Sequence, residues 1–161
     1  MTGPAEKEPG EEAVLSDTAE YAIRAVLYIA DNTEDKSLLP VEEIAGALKV
    51  PRNYLSKILH RLSRRGLLAS RRGRHGGFLL AVPAQRLTID RIVACFDAPL
   101  SRRSCLLGRP RCSDRAPCPA HTHWKAVAER IATFFRETTV ADLLGRDGAE
   151  HASIIDSLHR P

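Results

Sequence analysis

Two apolar patterns of helical period follow one another directly along the chain, and they constrain the fold of this chain more than any other feature. The first covers residues 41–50 and the second covers residues 51–66. The second has Pro51 at its start and Gly66 just past its end, where proline and glycine are favoured at helix termini. It is also rich in Arg, Asn, Lys and Ser near its beginning. This arrangement predicts a helix-turn-helix whose second helix is the recognition helix.

Two short apolar runs, LLAS and FLLA, flank the segment RRGRHGG. Apolar runs around a glycine-rich turn predict two strands joined as a hairpin. The glycines allow the backbone to approach a phosphate closely, and the arginines can enter a minor groove or clamp phosphates. Placed directly after the recognition helix, this hairpin is a wing. The order of elements therefore predicts a winged helix-turn-helix.

The net charge of +4 is mild, but its distribution along the chain is uneven. From Lys49 to Gly77 there is no acidic residue. The basic residues of that stretch are Lys49, Arg52, Lys57, Arg61, Arg64, Arg65, Arg71, Arg72 and Arg74. A solvated helix face usually mixes both signs of charge. A one-signed stretch of this length therefore indicates a surface that faces a polyanion such as DNA.

The remaining patterns predict a mainly α-helical protein with a small β-hairpin wing. A first helix begins at Ser16 or Asp17, and Asp17 and Glu20 have the spacing of a capping box. A fourth helix is capped at Thr88, and a long helix begins near Ala120. We predict these boundaries: a disordered acidic tail at 1–14, a winged helix-turn-helix domain at 15–98, a cysteine-rich loop at 99–121, a dimerisation helix at 122–144 and a flexible tail at 145–161.

The long helix carries a stripe of large apolar side chains at helical spacing. The stripe consists of Trp124, Val127, Ile131, Phe134 and Phe135. We expect this helix to pack against its copy in a second subunit, because DNA readers of this class commonly use two-fold half-sites. The alternative is that the helix folds back on its own domain, since such spacing does not itself establish dimerisation.

Three cysteines and a histidine fall in a polar segment that is rich in proline and charge: Cys105, Cys112, Cys118 and His121. The ligands of structural zinc usually come in pairs about two to four residues apart. Here six and five residues separate successive cysteines. Longer intervals suit a loop around a larger object such as an iron–sulfur cluster, and three thiolates leave one iron for another ligand. The fourth cysteine, Cys95, lies on the apolar side of helix 4 and is predicted to be a core residue.

Several segments together resemble the IscR/NsrR-type iron–sulfur transcriptional regulators. They are LSDTAEYAIRAVLYIA, PRNYLSKILHRLSRRGLL, the RRGRHGGFLL wing, the spaced cysteines and the closing TTVADLL, and they span residues 15–144. The resemblance implies a homodimeric winged-helix repressor whose three cysteines bind a 2Fe-2S or 4Fe-4S cluster. It also implies that the affinity for double-stranded operator DNA changes with the state of the cluster. The first cysteine interval is one residue longer than is usual in the family, which leaves the cluster type open.

The resemblance offers two candidates for the fourth ligand. His121 lies three positions after Cys118, as the ligand histidine does in IscR-like members. Glu20, immediately before Tyr21, matches the carboxylate that reaches across from the partner subunit in NsrR-like members, although an acid there also suits the helix dipole. We favour His121, because it shares a segment with the cysteines and because CPAHTHW looks like the IscR arrangement. His123 is a weaker substitute.

Contact with DNA is predicted at two places. At the start of the recognition helix the candidates for base and phosphate contact are Arg52, Asn53, Tyr54, Ser56 and Lys57. Arg can pair with guanine and Asn with adenine in the major groove. In the wing the candidates are Arg71, Arg72, Arg74 and His75. We expect a cluster to order residues 105–121 between helix 4 and the long helix, and so to fix the relative position of the two DNA-binding heads.

Other functions fit the sequence less well. No run approaches the roughly 18 apolar residues of a membrane span, and the N-terminus is unlike a signal peptide, so we expect a cytoplasmic protein with reduced thiols. A phosphate-cradling glycine motif and a catalytic constellation are both missing, so we expect neither an enzyme nor a small-molecule substrate. The alternatives are a cluster-free thiol or zinc sensor of the same fold, a cluster-containing electron-transfer protein and a protein-interaction module.

Overall fold

The computed structural model describes residues 14–33, 37–98, 105–107, 109 and 112–145. The predicted tails at 1–14 and 145–161 lie outside the described residues, apart from Val14 and Gly145. Within this part of the chain, no helix is both long and apolar enough to cross a membrane. The elements are α1 (Asp17–Asn32), α2 (Val41–Leu48), α3 (Arg52–Arg64), β1 (Leu68–Arg71), β2 (Gly77–Leu80), a short 3-10 turn (Ala84–Arg86), α4 (Ile89–Val93), α5 (His121–Glu137) and α6 (Val140–Leu143).

The core forms around α1, which contacts α2, α3, α4, α6 and strand β2. Small and branched apolar residues recur along α1 every three or four positions, so one face of the helix is apolar. Helix α3 presents a matching stripe. Among the largest side chains that are completely buried are Ile29, Ile44, Leu55, Leu59 and Leu62. This burial fixes the apolar side of α3 and leaves its polar side facing outward.

A tight turn joins α2 to α3, as the sequence predicts for a helix-turn-helix. Lys49 adopts the left-handed conformation, with φ of 53°, and its backbone N–H donates to the Gly46 carbonyl at 3.3 Å. The Val50 N–H donates to the Ala45 carbonyl at 3.1 Å, and the Val50 side chain is buried. Pro51 follows directly as the N-cap of α3. The turn is therefore closed by backbone bonds and by one buried side chain.

The predicted hairpin is present and is attached to the rest of the domain. Strands β1 and β2 pair antiparallel, and Arg71 lies opposite Gly77 in the pair next to the turn. An isolated bridge between Leu39 and Phe78 ties β2 to the segment before α2. A Cβ atom at Gly77 would lie 2.4 Å from the Leu39 carbonyl oxygen, so this close approach requires glycine. The wing is thus held at its base.

The predicted dimerisation unit at 122–144 divides into two helices. Helix α5 ends at Glu137, and Thr139 and Asp142 then form a capping box that starts α6. Val140 is completely buried, and its backbone N–H donates to a carbonyl of the winged domain at 2.8 Å. The end of the described chain therefore packs on the winged domain. The chain bends between α5 and α6, so that α6 is buried.

Ser16 caps α1 and also joins it to a distant part of the chain. Its Oγ accepts a hydrogen bond from the Ala19 N–H at 3.2 Å and donates to Asp97 Oδ1 at 2.6 Å. The Ser16 N–H donates to the other oxygen of Asp97 at 2.9 Å. Of the two predicted cap candidates, Ser16 is therefore the cap, and Asp17 is the first residue of the helix.

Replacing Ser16 with alanine should destabilise the protein by about 1 kcal/mol, because α1 loses its N-cap hydrogen bond. The double variant with Ser16→Ala and Asp97→Ala should cost less than the sum of the two single changes, since the two residues share one contact. Urea unfolding of the four proteins measures both effects. Strict additivity would show that the Ser16–Asp97 contact adds nothing to stability.

Replacing Lys49 with glycine should stabilise the protein by about 0.5–1 kcal/mol. A residue with a Cβ pays about 1–2 kcal/mol in the left-handed conformation, and the greater unfolded-state entropy of glycine offsets part of the gain. The matched control is Lys57→Gly within α3, which should destabilise by about 1 kcal/mol. Urea unfolding measures both changes in stability: the midpoint should shift while the dependence of the unfolding free energy on urea concentration stays the same. Equal destabilisation by the two changes would argue against strain at Lys49.

Candidate functional site

The outer face of α3 presents most of the side chains that the sequence predicts for DNA contact. Arg52, Asn53 and Lys57 are exposed, and Ser56 is half-buried. Because the opposite face of α3 is packed in the core, these side chains project from a fixed helix. A recognition helix needs this combination of a rigid back and a free polar front.

Tyr54 is placed differently from its neighbours. Its hydroxyl is 2.7 Å from Thr18 Oγ1 on α1, and its ring meets the edge of Tyr21 at a centroid distance of 6.0 Å. Both contacts point the side chain into the interface between α3 and α1. Tyr54 therefore braces the recognition helix, and its contact with DNA stays a prediction.

An acidic residue that the sequence reading did not single out holds Arg52. Arg52 Nε donates to Glu42 Oε1 of α2 at 2.6 Å, and both side chains are more than half exposed. The pKa of the Glu42 carboxyl is lowered from its ordinary value. The main cause is a hydrogen bond from its own backbone N–H, and the next is the hydrogen bond from Arg52. The bond engages Nε and leaves the guanidinium amino groups of Arg52 available for a guanine edge. Spacing along the sequence can predict an ion pair between residues four apart on one helix. Glu42 and Arg52 lie on two different helices, so the sequence did not predict their pairing.

The wing exposes all four of its predicted contacts. Arg71, Arg72, Arg74 and His75 lie at the surface. Arg71 Nη2 donates to the His75 carbonyl at 3.2 Å, which ties the two sides of the turn together. A Cβ atom at Gly76 would lie 2.2 Å from the Arg71 carbonyl oxygen, so the turn needs glycine there. The wing is therefore a closed, basic turn rather than a loose loop.

The three cysteines and the histidine of the polar segment gather in two hydrogen-bonded pairs. Cys105 Sγ and Cys118 Sγ are 3.4 Å apart, and both residues are buried. Cys112 Sγ is 3.2 Å from His121 Nδ1, and the side chain of His121 is 10% exposed. The backbone N–H of His121 also donates to the Cys118 carbonyl at 2.9 Å, which links the two pairs. We call these four residues the thiol cluster.

Asp114 and Lys125 form a second layer behind the thiol cluster. Asp114 Oδ1 lies 2.8 Å from His121 Nε2. Lys125 Nζ donates to both oxygens of Asp114, at 3.0 and 3.1 Å. The sequence reading missed both residues. The spacing could have indicated Lys125, because it lies four positions after His121 and therefore on the same side of α5.

The thiols differ in their readiness to ionise. Hydrogen bonding from the Leu107 backbone, followed by the neighbouring Cys118 thiol, lowers the pKa of Cys105. Desolvation, followed by the charges of its neighbouring cysteines, raises the pKa of Cys112. Within the cluster, Cys105 is therefore better prepared than Cys112 to be a thiolate, the form of cysteine that binds a metal.

The other predicted ligand candidates, Glu20 and His123, lie on α1 and α5. Glu20 is half-buried in the first turn of α1, and His123 is exposed on α5. Cys95 belongs to the core, as predicted; its Sγ lies 3.4 Å from the Arg91 carbonyl, and desolvation raises the pKa of its thiol. Within the described part of the chain, no three or more His, Cys, Asp or Glu side chains are arranged to hold a single metal ion.

Helix α5 has two different sides. Ala132 and Phe135 are buried, and α5 contacts α4. Val127 and Phe134 are 48% and 55% exposed, and the two residues lie about two turns apart on the same side of the helix. The predicted stripe therefore divides: Phe135 packs on its own domain, and the outer residues of the stripe leave an apolar surface uncovered.

Comparison with known proteins agrees with this architecture. The model of the Rrf2 family, described as an iron-dependent transcriptional regulator, matches residues 15–146. An HTH-type transcriptional regulator of Aquifex aeolicus (strain VF5) is 40% identical over 133 residues, or 81% of this chain and 91% of that protein. The HTH-type transcriptional regulator IscR of Yersinia enterocolitica (serotype O:8 / biotype 1B) is 30% identical over 130 residues, or 81% of this chain and 78% of that protein.

Solved structures share the fold. CymR, the global cysteine regulator of B. subtilis, aligns with a TM-score of 0.71 and 21% identity, covering 83% of this chain and 98% of that one. IscR of T. potens aligns with a TM-score of 0.65 and 20% identity, covering 88% and 94%. Together with the match over residues 15–146, these likenesses confirm the winged helix-turn-helix and the predicted kinship. The chain belongs to the Rrf2 family of transcriptional regulators.

Proposed function

We propose that this Rrf2-family protein is a homodimeric repressor whose affinity for operator DNA is controlled by the redox or ligation state of an iron–sulfur cluster. Its ligands are Cys105, Cys112, Cys118 and His121. The observation that carries the proposal is the assembly of these four residues at the start of α5, with all but Cys112 buried. The description of the family as iron-dependent and the IscR relatives support it.

The donor set fits a cluster better than a single ion. Ligands of a structural zinc usually come in close pairs about two to four residues apart, whereas six and five residues separate the cysteines here. Ligands of a cluster bind different irons, so they can surround a larger volume. Iron–sulfur clusters bind to thiolates and, in some proteins, to imidazoles. The thiol cluster offers both: two thiols 3.4 Å apart, a third thiol and a buried imidazole. A bound cluster would supply electron-transfer or gas-binding chemistry at this place.

A second copy of the chain is the partner that the outer face of α5 fits. Val127 and Phe134 are exposed, and the half-buried Trp124 lies about one turn before Val127, whereas Ile131 packs against the core. Burying such a face against its own copy removes apolar surface from water and places two winged domains in two-fold relation. That relation suits an operator built of two half-sites.

The proposal is tested by absorption spectroscopy of protein purified without oxygen, with iron, sulfide and zinc assayed on the same sample. Visible charge-transfer bands with comparable iron and sulfide are expected. Each of Cys105→Ala, Cys112→Ala and Cys118→Ala should remove most of this absorbance. Cys95→Ala should keep it, since Cys95 is a core residue. A colourless wild-type protein, after attempted reconstitution as well, would rule the cluster out.

One observation favours a second candidate, a regulator that senses through its thiols alone. The Cys105 and Cys118 sulfurs are already adjacent, so oxidation can join them. With hydrogen peroxide, the two thiols give up two protons and two electrons, one S–S bond forms, and the peroxide becomes two waters. Mass spectrometry under non-reducing conditions should then find a Cys105–Cys118 disulfide in the colourless protein, with Cys118→Ala as the negative control. Absence of that disulfide, with DNA affinity unchanged by peroxide, would eliminate this candidate.

The wing makes a separate prediction about DNA. Arg74→Ala should weaken binding to all duplexes and lower the slope of log affinity against log salt by about one phosphate contact. Arg136→Ala is the matched control, because Arg136 is exposed on α5, outside the acid-free stretch. Fluorescence anisotropy over a salt series measures both. An unchanged slope for Arg74→Ala would contradict a phosphate contact by the wing.

A further inference from the structure

The contacts behind His121 form a continuous chain of four side chains. Lys125 Nζ donates to Asp114, Asp114 Oδ1 meets His121 Nε2 at 2.8 Å, and His121 Nδ1 meets Cys112 Sγ at 3.2 Å. Both ring nitrogens of His121 are therefore engaged. One faces a carboxylate and the other faces a thiol.

The chemistry of these groups assigns the proton on the ring. An ionised carboxylate only accepts hydrogen bonds, so the bond to Asp114 requires a proton on Nε2. In the neutral imidazole, the lone pair is then on Nδ1, which faces Cys112. The carboxylate thus leaves the lone pair on Nδ1, the nitrogen that can bind a metal and that faces the Cys112 thiol.

A histidine that binds a metal commonly donates its other ring N–H to a carboxylate, which fixes the tautomer and the orientation of the ring. We propose that Asp114 is a positioning residue for the proposed cluster: it holds His121 so that Nδ1 is the fourth ligand, and Lys125 holds Asp114 in place. This inference rests on the proposed function. It assigns the fourth ligand to His121 of the same chain rather than to Glu20.

The different exposures of the three side chains support a role in orientation. The side chain of Asp114 is 72% exposed and that of Lys125 is 45% exposed, whereas that of His121 is 10% exposed. An exposed ion pair adds little to stability. Both Asp114 oxygens are nevertheless fixed by Lys125, and one of them also bonds the buried imidazole. The arrangement restricts ring rotation more than it stabilises the fold.

The placement on α5 explains how this orientation is maintained. His121 is the first residue of α5, and Lys125 lies one turn later on the same side. Asp114 comes from the segment between Cys112 and Cys118, so the bond joins the helix to that segment. Rotation of the ring would break a bond at each nitrogen.

The experiment compares Asp114→Ala, Asp114→Glu and wild type, with Glu137→Gln as a control that removes an exposed carboxylate from α5, the helix of His121 and Lys125. Pulsed EPR of the reduced cluster detects the hyperfine coupling of a ligating histidine nitrogen. The rate of cluster loss to a chelator is measured in parallel. Nitrogen-15 NMR of the cluster-free proteins reports which ring nitrogen of His121 carries the proton.

Asp114→Ala should lose or alter the nitrogen coupling and release the cluster faster, because removing such a partner of a metal ligand usually lowers metal affinity by about 10- to 100-fold. The NMR signal should change from a single Nε2-protonated tautomer to a mixture. Asp114→Glu should restore most of the coupling, and Glu137→Gln should match wild type.

Three results overturn the inference, and they are distinguishable. If wild type holds a cluster whose EPR shows histidine nitrogen, but Asp114→Ala matches Glu137→Gln in every readout, Asp114 does not position the ligand and the proposed function stands. A wild-type cluster without histidine coupling excludes His121 as the ligand and leaves the cluster itself intact. If wild type binds no cluster, the proposed function fails and the inference fails with it.

Discussion

The packing of α1 is the constraint on which the rest of the structure depends. This helix contacts α2, α3, α4, α6 and strand β2, and seven of its residues are buried. Its inward residues are small or branched, which lets neighbouring helices approach closely and leaves little space for alternative packings. Because α3 and α4 both rest on α1, the recognition helix and the end of the winged domain share one rigid support.

The thiol cluster is attached to that support at both ends. The chain leaves the winged domain near Asp97, which is bound to Ser16 at the start of α1. It returns at His121, and after α5 the buried α6 fastens it to the winged domain again. The described chain is therefore held on the winged domain on both sides of the thiol cluster, at Asp97 and at α6.

Much of the fold was predictable from sequence because its signals are local. Pro51, Gly66 and the apolar spacing of α3 each act within one or two turns, and the basic turn of the wing lies between adjacent strands. The contacts of Asp97 with Ser16 and of Glu42 with Arg52 were not predictable, since they join residues from different elements. The same reason hid Asp114: its position two residues after Cys112 indicates a polar loop, whereas its bond to His121 depends on where α5 begins.

The first turn of α1 joins the two functional parts of the molecule. Ser16 holds Asp97, where the chain departs toward the thiol cluster, and Thr18 holds the hydroxyl of Tyr54 on the recognition helix. Both contacts are short hydrogen bonds to the same helical turn, so displacement of this turn alters the support of α3. An effector at the thiols can change DNA affinity only if it interacts differently with two arrangements of this junction. In the proposed function, such a change would reach α3 through these polar contacts at the edge of the core.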